Sequence, residues 1–98
     1  MTVTAPTLDD FASLRGERFA LSMDRGEALS AELVEARALA QPPFDGRQPF
    51  SLIFAGPPVP LLPQRIYRLA HEQLPPLDIF LVPIAADAAG VRYQAVFS

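Results

Sequence analysis

The sequence lacks cysteine altogether, and its eight basic residues are all arginines. Without cysteine there is no disulfide framework and no thiolate metal site, which is typical of a protein from a reducing compartment. No apolar run approaches the roughly 18 residues of a membrane-spanning helix, and residues 1–6 show neither the basic nor the apolar region of a secretory signal. We therefore expect a cytoplasmic protein without membrane association.

Concentrated positive charge is also missing. The formal net charge is −3, and the arginines are scattered singly along the chain. Proteins that bind nucleic acids usually cluster basic side chains on one face to neutralise phosphates. The sequence therefore predicts no nucleic-acid partner.

Residues for catalysis or cofactor binding are equally scarce. His71 is the single histidine, so the usual histidine and cysteine sets for zinc or iron cannot form. No serine lies in a Gly-x-Ser-x-Gly turn, and the five glycines are spaced singly, so no phosphate-binding loop is present. We predict no catalytic residues, no metal site and no cofactor, and therefore a protein that is not an enzyme.

The N-terminal part of the chain has the pattern of a short helix. Thr7 and Asp10 have the spacing of a capping box, and apolar residues follow on one helical face. We predict a single domain over residues 1–98, with a flexible N-terminus at 1–6, a short helix within 7–15 and a β-domain over 17–98.

Most of the β-domain alternates between apolar and polar residues, or consists of dense apolar runs of strand length. Pro75-Pro76 is predicted to interrupt the chain before the fifth strand, and Pro83 to lie at a sheet edge or a β-bulge. Turns are expected at 24–26 and 87–90. The six predicted strands are Glu17–Met23, Ala28–Ala40, Phe50–Ala55, Gln64–Glu72, Leu77–Ala85 and Val91–Phe97.

The segment Ala28–Ala40 has two interpretations. Its composition and the i, i+4, i+7 spacing of apolar residues slightly favour a helix. Its apolar residues also alternate, with a change of parity near Leu33–Val34 that is typical of a β-bulge. The turn predicted just before it favours the strand.

Five motifs occur along the chain: Phe11-x-x-Leu14-x-Gly16-x-x-Phe19, Phe50-Ser51-Leu52-x-Phe54, Gln64-x-x-Tyr67-x-Leu69-x-His71, Phe80-Leu81-Val82-Pro83 and Tyr93-x-Ala95-x-Phe97. Together they resemble a domain-of-unknown-function family of short bacterial proteins. The resemblance implies that residues 29–39 form a strand, which we adopt as our prediction. It implies no activity, but it does imply a phage-derived or structural context, beside phage-tail-collar-like proteins. Where the family has a glycine turn, this chain has Pro75-Pro76.

The predicted fold is mainly β: a small antiparallel six-stranded meander or partly closed barrel with a short N-terminal helix. The unusual feature is the proline-rich loop 56–63, which contains the PxxP spacing twice. Segments with this spacing form stiff polyproline II structure. The loop either covers an end of the barrel or forms a surface for a protein partner or a second copy of the chain. The predicted surface comprises Pro57, Pro58, Val59, Pro60, Leu61 and Leu62.

These observations favour a non-catalytic structural or protein-interaction module, an accessory of a phage-tail-like assembly. The alternative is a small-molecule-binding barrel with an apolar pocket. In that case the polar groups at its mouth are Tyr67, His71 and Tyr93.

Overall fold

The computed structural model describes residues 6–22, 28–39 and 48–97 and contains one helix and six strands in that part of the chain. The strands are antiparallel and close into a barrel, which confirms the predicted mainly-β fold class. The predicted turn at 24–26 and most of the predicted flexible N-terminus lie outside the described residues. The elements are α1 Leu8–Ala12, β1 Arg18–Ser22, β2 Ala28–Ala38, β3 Phe50–Gly56, β4 Arg65–His71, β5 Leu74–Asp87 and β6 Gly90–Phe97.

The order of strands around the barrel is β1-β2-β3-β6-β5-β4, and β4 pairs with β1 to close it. The first three strands are consecutive neighbours, as are the last three, so each half is a small meander. The order departs from one continuous meander at the β3-to-β4 connection. Closure removes the unpaired edges that would otherwise be open to pairing with other chains. No helix in the described ranges is long and apolar enough to cross a membrane.

Helix α1 begins at the predicted capping box. The Thr7 backbone N–H donates to the Asp10 carboxylate over 2.9 Å, and the Asp10 N–H donates to the Thr7 hydroxyl over 3.4 Å. The helix ends at Ala12, and turns follow through Gly16, whose φ of 92° is the left-handed conformation that glycine adopts readily.

The buried face of α1 joins an aromatic cluster. Phe11 is fully buried, with ring centroids 6.3 Å from Phe19, 5.9 Å from Phe50 and 5.6 Å from Phe97. The rings of Phe50 and Phe97 are stacked at 4.7 Å. The cluster joins the helix to β1, β3 and β6 through large apolar contacts, which explains why so short a helix is stable in this chain.

The ambiguous segment is extended, as predicted. Strand β2 covers Ala28–Ala38, and its pairing with β3 shifts between Leu33 and Glu35, so that Val34 is the additional residue of a bulge. β2 pairs with β1 on one side and with β3 on the other. These ladders outweigh the helix propensity of the sequence.

The prediction that Pro75-Pro76 interrupts the chain is wrong. Both prolines lie inside β5, where the register with β4 shifts and the pair stands opposite the single residue Ala70. A bulge leaves backbone groups outside the ladder, so proline's missing N–H removes no strand–strand hydrogen bond.

Pro83 lies at a bulge, as predicted. It pairs with Tyr93, whereas Ala85 pairs with Arg92, so Ile84 is the additional residue and its side chain is exposed. The interior is filled by large side chains from all six strands and by Phe11. The largest fully buried ones are Tyr67, Tyr93, Phe11, Phe19, Phe54, Leu21, Leu33, Leu52, Leu69, Leu81 and Val91.

Candidate interaction surface

The proline-rich loop between β3 and β4 is anchored to the barrel by Leu62. This side chain is only 2% exposed and belongs to the core, and its backbone N–H donates a 3.0 Å hydrogen bond to the Tyr93 hydroxyl. Leu62 therefore does not contribute to the predicted interaction surface. The peptide bond between Val59 and Pro60 is cis.

Two tyrosines hold this anchor. The Tyr67 hydroxyl donates to the carbonyl oxygen of Pro63 over 2.6 Å, and the Tyr93 hydroxyl accepts from Leu62. Burial raises the pKa of Tyr67 above its ordinary value of 10.0, and the guanidinium of Arg65, 6.0 Å from the ring centroid, partly offsets that rise. In the alternative hypothesis of a small-molecule-binding barrel these two phenols are polar groups at the mouth of a pocket; in the structure both bond to the loop.

Next to the anchored residue, the loop carries two apolar side chains in solvent. Val59 is 77% exposed and Leu61 is 57% exposed. We call these two residues the loop tip. The loop thus combines both roles considered from the sequence: Leu62 fills the barrel interior, and the loop tip faces solvent.

A second apolar surface lies on the outside of the barrel, across β4, β5 and β6. Ile66 and Phe80 are directly paired and are 62% and 52% exposed. Val82 is the next outward residue of β5 and pairs with Gln94 of β6. Val96 is the next outward residue of β6 after Gln94. We call Ile66, Phe80, Val82 and Val96 the outer wall.

Among the described residues, most exposed large apolar side chains follow β3. Seven are exposed among the described residues, and all but Leu39 follow β3. Single exposed apolar residues are ordinary, whereas a concentration of them marks a contact site. The six are Val59, Leu61, Ile66, Phe80, Ile84 and Val96.

The outer wall was missed from the sequence, although a signal was present. In β4 the alternation assigns Tyr67 and Leu69 to the interior, which places Ile66 outside. In β5, Phe80 stands between the buried residues Ile79 and Leu81 and must also face outward. An apolar residue at an outward position of each of two adjacent strands is therefore the pattern that predicts this surface.

An ion pair borders the outer wall. The Arg68 guanidinium lies 3.3 Å from the Asp78 carboxylate. These two residues pair across β4 and β5, two residues along each strand from the Ile66–Phe80 pair. Both side chains are well exposed, so the pair contributes little to stability. Its two charges cancel locally, and this border of the outer wall carries no net charge.

His71 is four residues beyond Tyr67 on β4 and does not converge with the two tyrosines. Its Nδ1 accepts from the Gln73 backbone N–H over 3.0 Å, which places the proton of the neutral ring on Nε2. Nε2 then donates to the Glu17 carboxylate over 2.8 Å, and the ring centroid lies 4.7 Å from that of Phe19. Both ring nitrogens are therefore occupied by bonds within the chain.

An open depression of about 490 Å³ lies beside His71. Its polar groups include His71 and Glu17, which bond to each other, and much of its lining consists of small side chains. The described residues contain no group of three or more histidine, cysteine, aspartate or glutamate side chains placed to hold a metal ion. Compared with this depression, the loop tip and the outer wall are therefore the stronger candidates for a contact site.

The structure defines a small closed antiparallel barrel with a proline-rich loop anchored through two buried tyrosines. The chain belongs to the DUF6916 family, a domain of unknown function, whose model matches residues 6–97. No curated protein and no solved structure matches the chain. Family membership supplies no activity, so function has to be argued from the surface.

Proposed function

We propose that this protein is a non-catalytic interaction module that binds another protein chain through the loop tip and the outer wall. The observation that carries the proposal is the contrast between adjacent residues of one loop. Leu62 is buried and hydrogen-bonded, whereas Leu61 and Val59 are held out in solvent. A loop fixed in this way presents apolar side chains in a defined position, and that is what a contact site requires.

The energetics of the loop support the same role. Four of the eight residues from 56 to 63 are prolines, so the loop loses little conformational entropy when a partner binds. Each apolar side chain that becomes fully buried in a complex contributes about 1.5–3 kcal/mol. The two residues of the loop tip can therefore support a specific contact together with the outer wall.

Site-specific crosslinking tests the proposal. A photo-crosslinking residue at position 61, in cells that carry the gene, is expected to give a defined protein adduct. The matched control is the same residue at Leu39, which is also exposed but lies outside the loop tip and outer wall. Adducts that are equal at both positions, or absent from position 61, would contradict the proposal.

The proposed setting is a bacterial cell, with the module as an accessory of a phage-tail-like assembly. This part rests on the family resemblance of the five sequence motifs, together with the suitability of a rigid apolar loop for fixed contacts. Co-expression with a tail-collar-like protein encoded nearby tests it. The pair is expected to co-purify, the Val59→Ser/Leu61→Ser variant to lose the partner, and Leu39→Ser to keep it. Failure of the wild type to co-purify would rule out this setting.

A further inference from the structure

The extent of the exposed apolar surface indicates the size of the partner contact. The five exposed side chains of the loop tip and the outer wall, Val59, Leu61, Ile66, Phe80 and Val96, present on the order of 500 Å² together, which is comparable with the largest apolar patch of a typical monomer. A specific interface of standard size covers about 800 Å² on each partner. Somewhat more than half of such an area is apolar. The surface therefore has the apolar area that one side of a stable dimer needs.

The charges at the Arg68–Asp78 border of the outer wall suit contact with a second copy of the same surface. In a two-fold symmetric dimer, the same patch lies on both sides of the interface and must not repel itself. Arg68 and Asp78, which border the Ile66–Phe80 pair, have opposite signs and are already bonded to each other. When two such borders meet, each arginine can approach the aspartate of the other copy. A strongly charged partner would find no complementary excess charge at this Arg68–Asp78 border.

The mode of contact follows from the barrel. Among the described residues the strands close into a barrel, which disfavours pairing with a strand of another chain. In β5, Pro75 and Pro76 have no N–H to donate, which further disfavours strand addition along that segment. Contact between copies is therefore expected to be made by side chains, for which the outer wall and the loop tip supply the apolar area.

We propose that one partner is a second copy of this chain, bound in a two-fold symmetric dimer through the outer wall with the loop tip at its margin. This inference rests on the proposed function, because it names a partner for the same surface. It goes beyond that function in predicting that the purified chain associates without any other protein.

Sedimentation velocity of the full chain over a range of concentrations tests the dimer. The wild type is expected to sediment as a dimer that dissociates on dilution. The Ile66→Ser/Phe80→Ser variant is expected to be a monomer with native circular dichroism. Leu39→Ser, an exposed leucine in the other half of the barrel, should remain dimeric. A wild type that is monomeric throughout, or a folded double variant that still dimerises, overturns the proposal.

A second measurement does not depend on the double variant folding. The chain has no cysteine, so a single cysteine introduced at Ile66 carries the only spin label. Pulsed dipolar spectroscopy is expected to show a short intermolecular distance for labels at Ile66 and a longer one for labels at Leu39. A dimer whose labels at Ile66 are farther apart than those at Leu39 uses another face, and this result overturns the inference.

The outcomes separate this inference from the proposed function. A monomeric wild type whose residue 61 crosslinks to a different protein overturns the proposal of a second copy as partner. It agrees with the proposed function as an interaction module. A monomeric wild type with no adduct at residue 61 overturns both. A dimer that crosslinks to itself through residue 61 supports both.

Discussion

The backbone N–H of Leu62 donates to the hydroxyl of Tyr93, which lies 31 residues later on β6, over 3.0 Å. Both groups are buried, so no water replaces either partner if the other is removed. This bond and the bond from Tyr67 to Pro63 fix the end of the proline-rich loop against the barrel. The position of the loop tip therefore depends on two phenol hydroxyls.

Tyr93→Phe is expected to destabilise the fold by about 1–3 kcal/mol, because it leaves the buried Leu62 N–H unpaired. Denaturant unfolding measures the change, and hydrogen exchange of the Leu62 amide should accelerate. The matched control is Arg92→Ala on the same strand, at an exposed position outside the outer wall, which is expected to change stability little. Equal effects of the two substitutions would contradict the anchoring role of the hydroxyl.

Adjacent leucines of the loop are expected to behave differently. Leu62→Ala removes a core side chain and should lower the free energy of unfolding by about 2–5 kcal/mol. Leu61→Ala changes an exposed side chain and should alter the stability of the monomer by about 0.5 kcal/mol or less. Thermal and denaturant unfolding at low protein concentration compare the two, and a reversed order would show that the assignment of core and tip is wrong.

Gly90 cannot accept a side chain. Its φ is +153°, and a Cβ atom there would lie 2.2 Å from the carbonyl oxygen of Gly56, which is backbone and cannot swing aside. Gly90→Ala is therefore expected to be severely destabilising, by more than about 4 kcal/mol, or to prevent folding. Gly16→Ala is the control: its φ is also positive, at +92°, but nothing lies within 4 Å. That variant should lose only about 1–2 kcal/mol from backbone strain. Unfolding curves that give the two variants an equal loss of unfolding free energy would contradict this contrast.

The stability of the fold is expected to fall at alkaline pH because of Tyr67. Burial raises the pKa of its phenol above 10.0 in the folded state, so the unfolded chain releases this proton at a lower pH than the folded one. The contribution is present in full below the unfolded pKa of about 10 and is lost as pH rises from there through the folded pKa. Near neutrality the phenol is protonated in both states, so stability there does not change with pH because of this group. Unfolding measured across this range should show a smaller decline for Tyr67→Phe than for the wild type. An identical decline of stability in the two proteins would contradict the role of the Tyr67 phenol.

The fold was largely predictable because alternating residues specify strand faces. The parity switch near Leu33–Val34 identified a real bulge, although local composition favoured a helix. Pro75-Pro76 misled the prediction, since proline's usual effect on a strand disappears where a bulge takes residues out of the ladder. The strand order could not be read from the sequence, because nothing in residues 57–64 specifies which edge β4 will join.

The candidate surface was predictable only in part. The loop was identified by its prolines, but neighbouring leucines of one loop have no periodicity that separates the buried Leu62 from the exposed Leu61. That distinction comes from a hydrogen bond to Tyr93, which no local pattern reveals. Ile66 and Phe80 were within reach of the sequence, because strand parity alone places them outside.

The division of the barrel into two meanders bears on how the molecule folds. The pairings within each half join neighbouring strands, whereas β3 with β6 and β1 with β4 join segments far apart in the chain. Loop-closure entropy makes such distant pairings slow, so we expect them to form last. Both tyrosine anchors, the loop tip and the outer wall belong to β4, β5, β6 and the loop that leads into them. The contact surface can therefore take shape while the first half of the chain is still unpaired with the second.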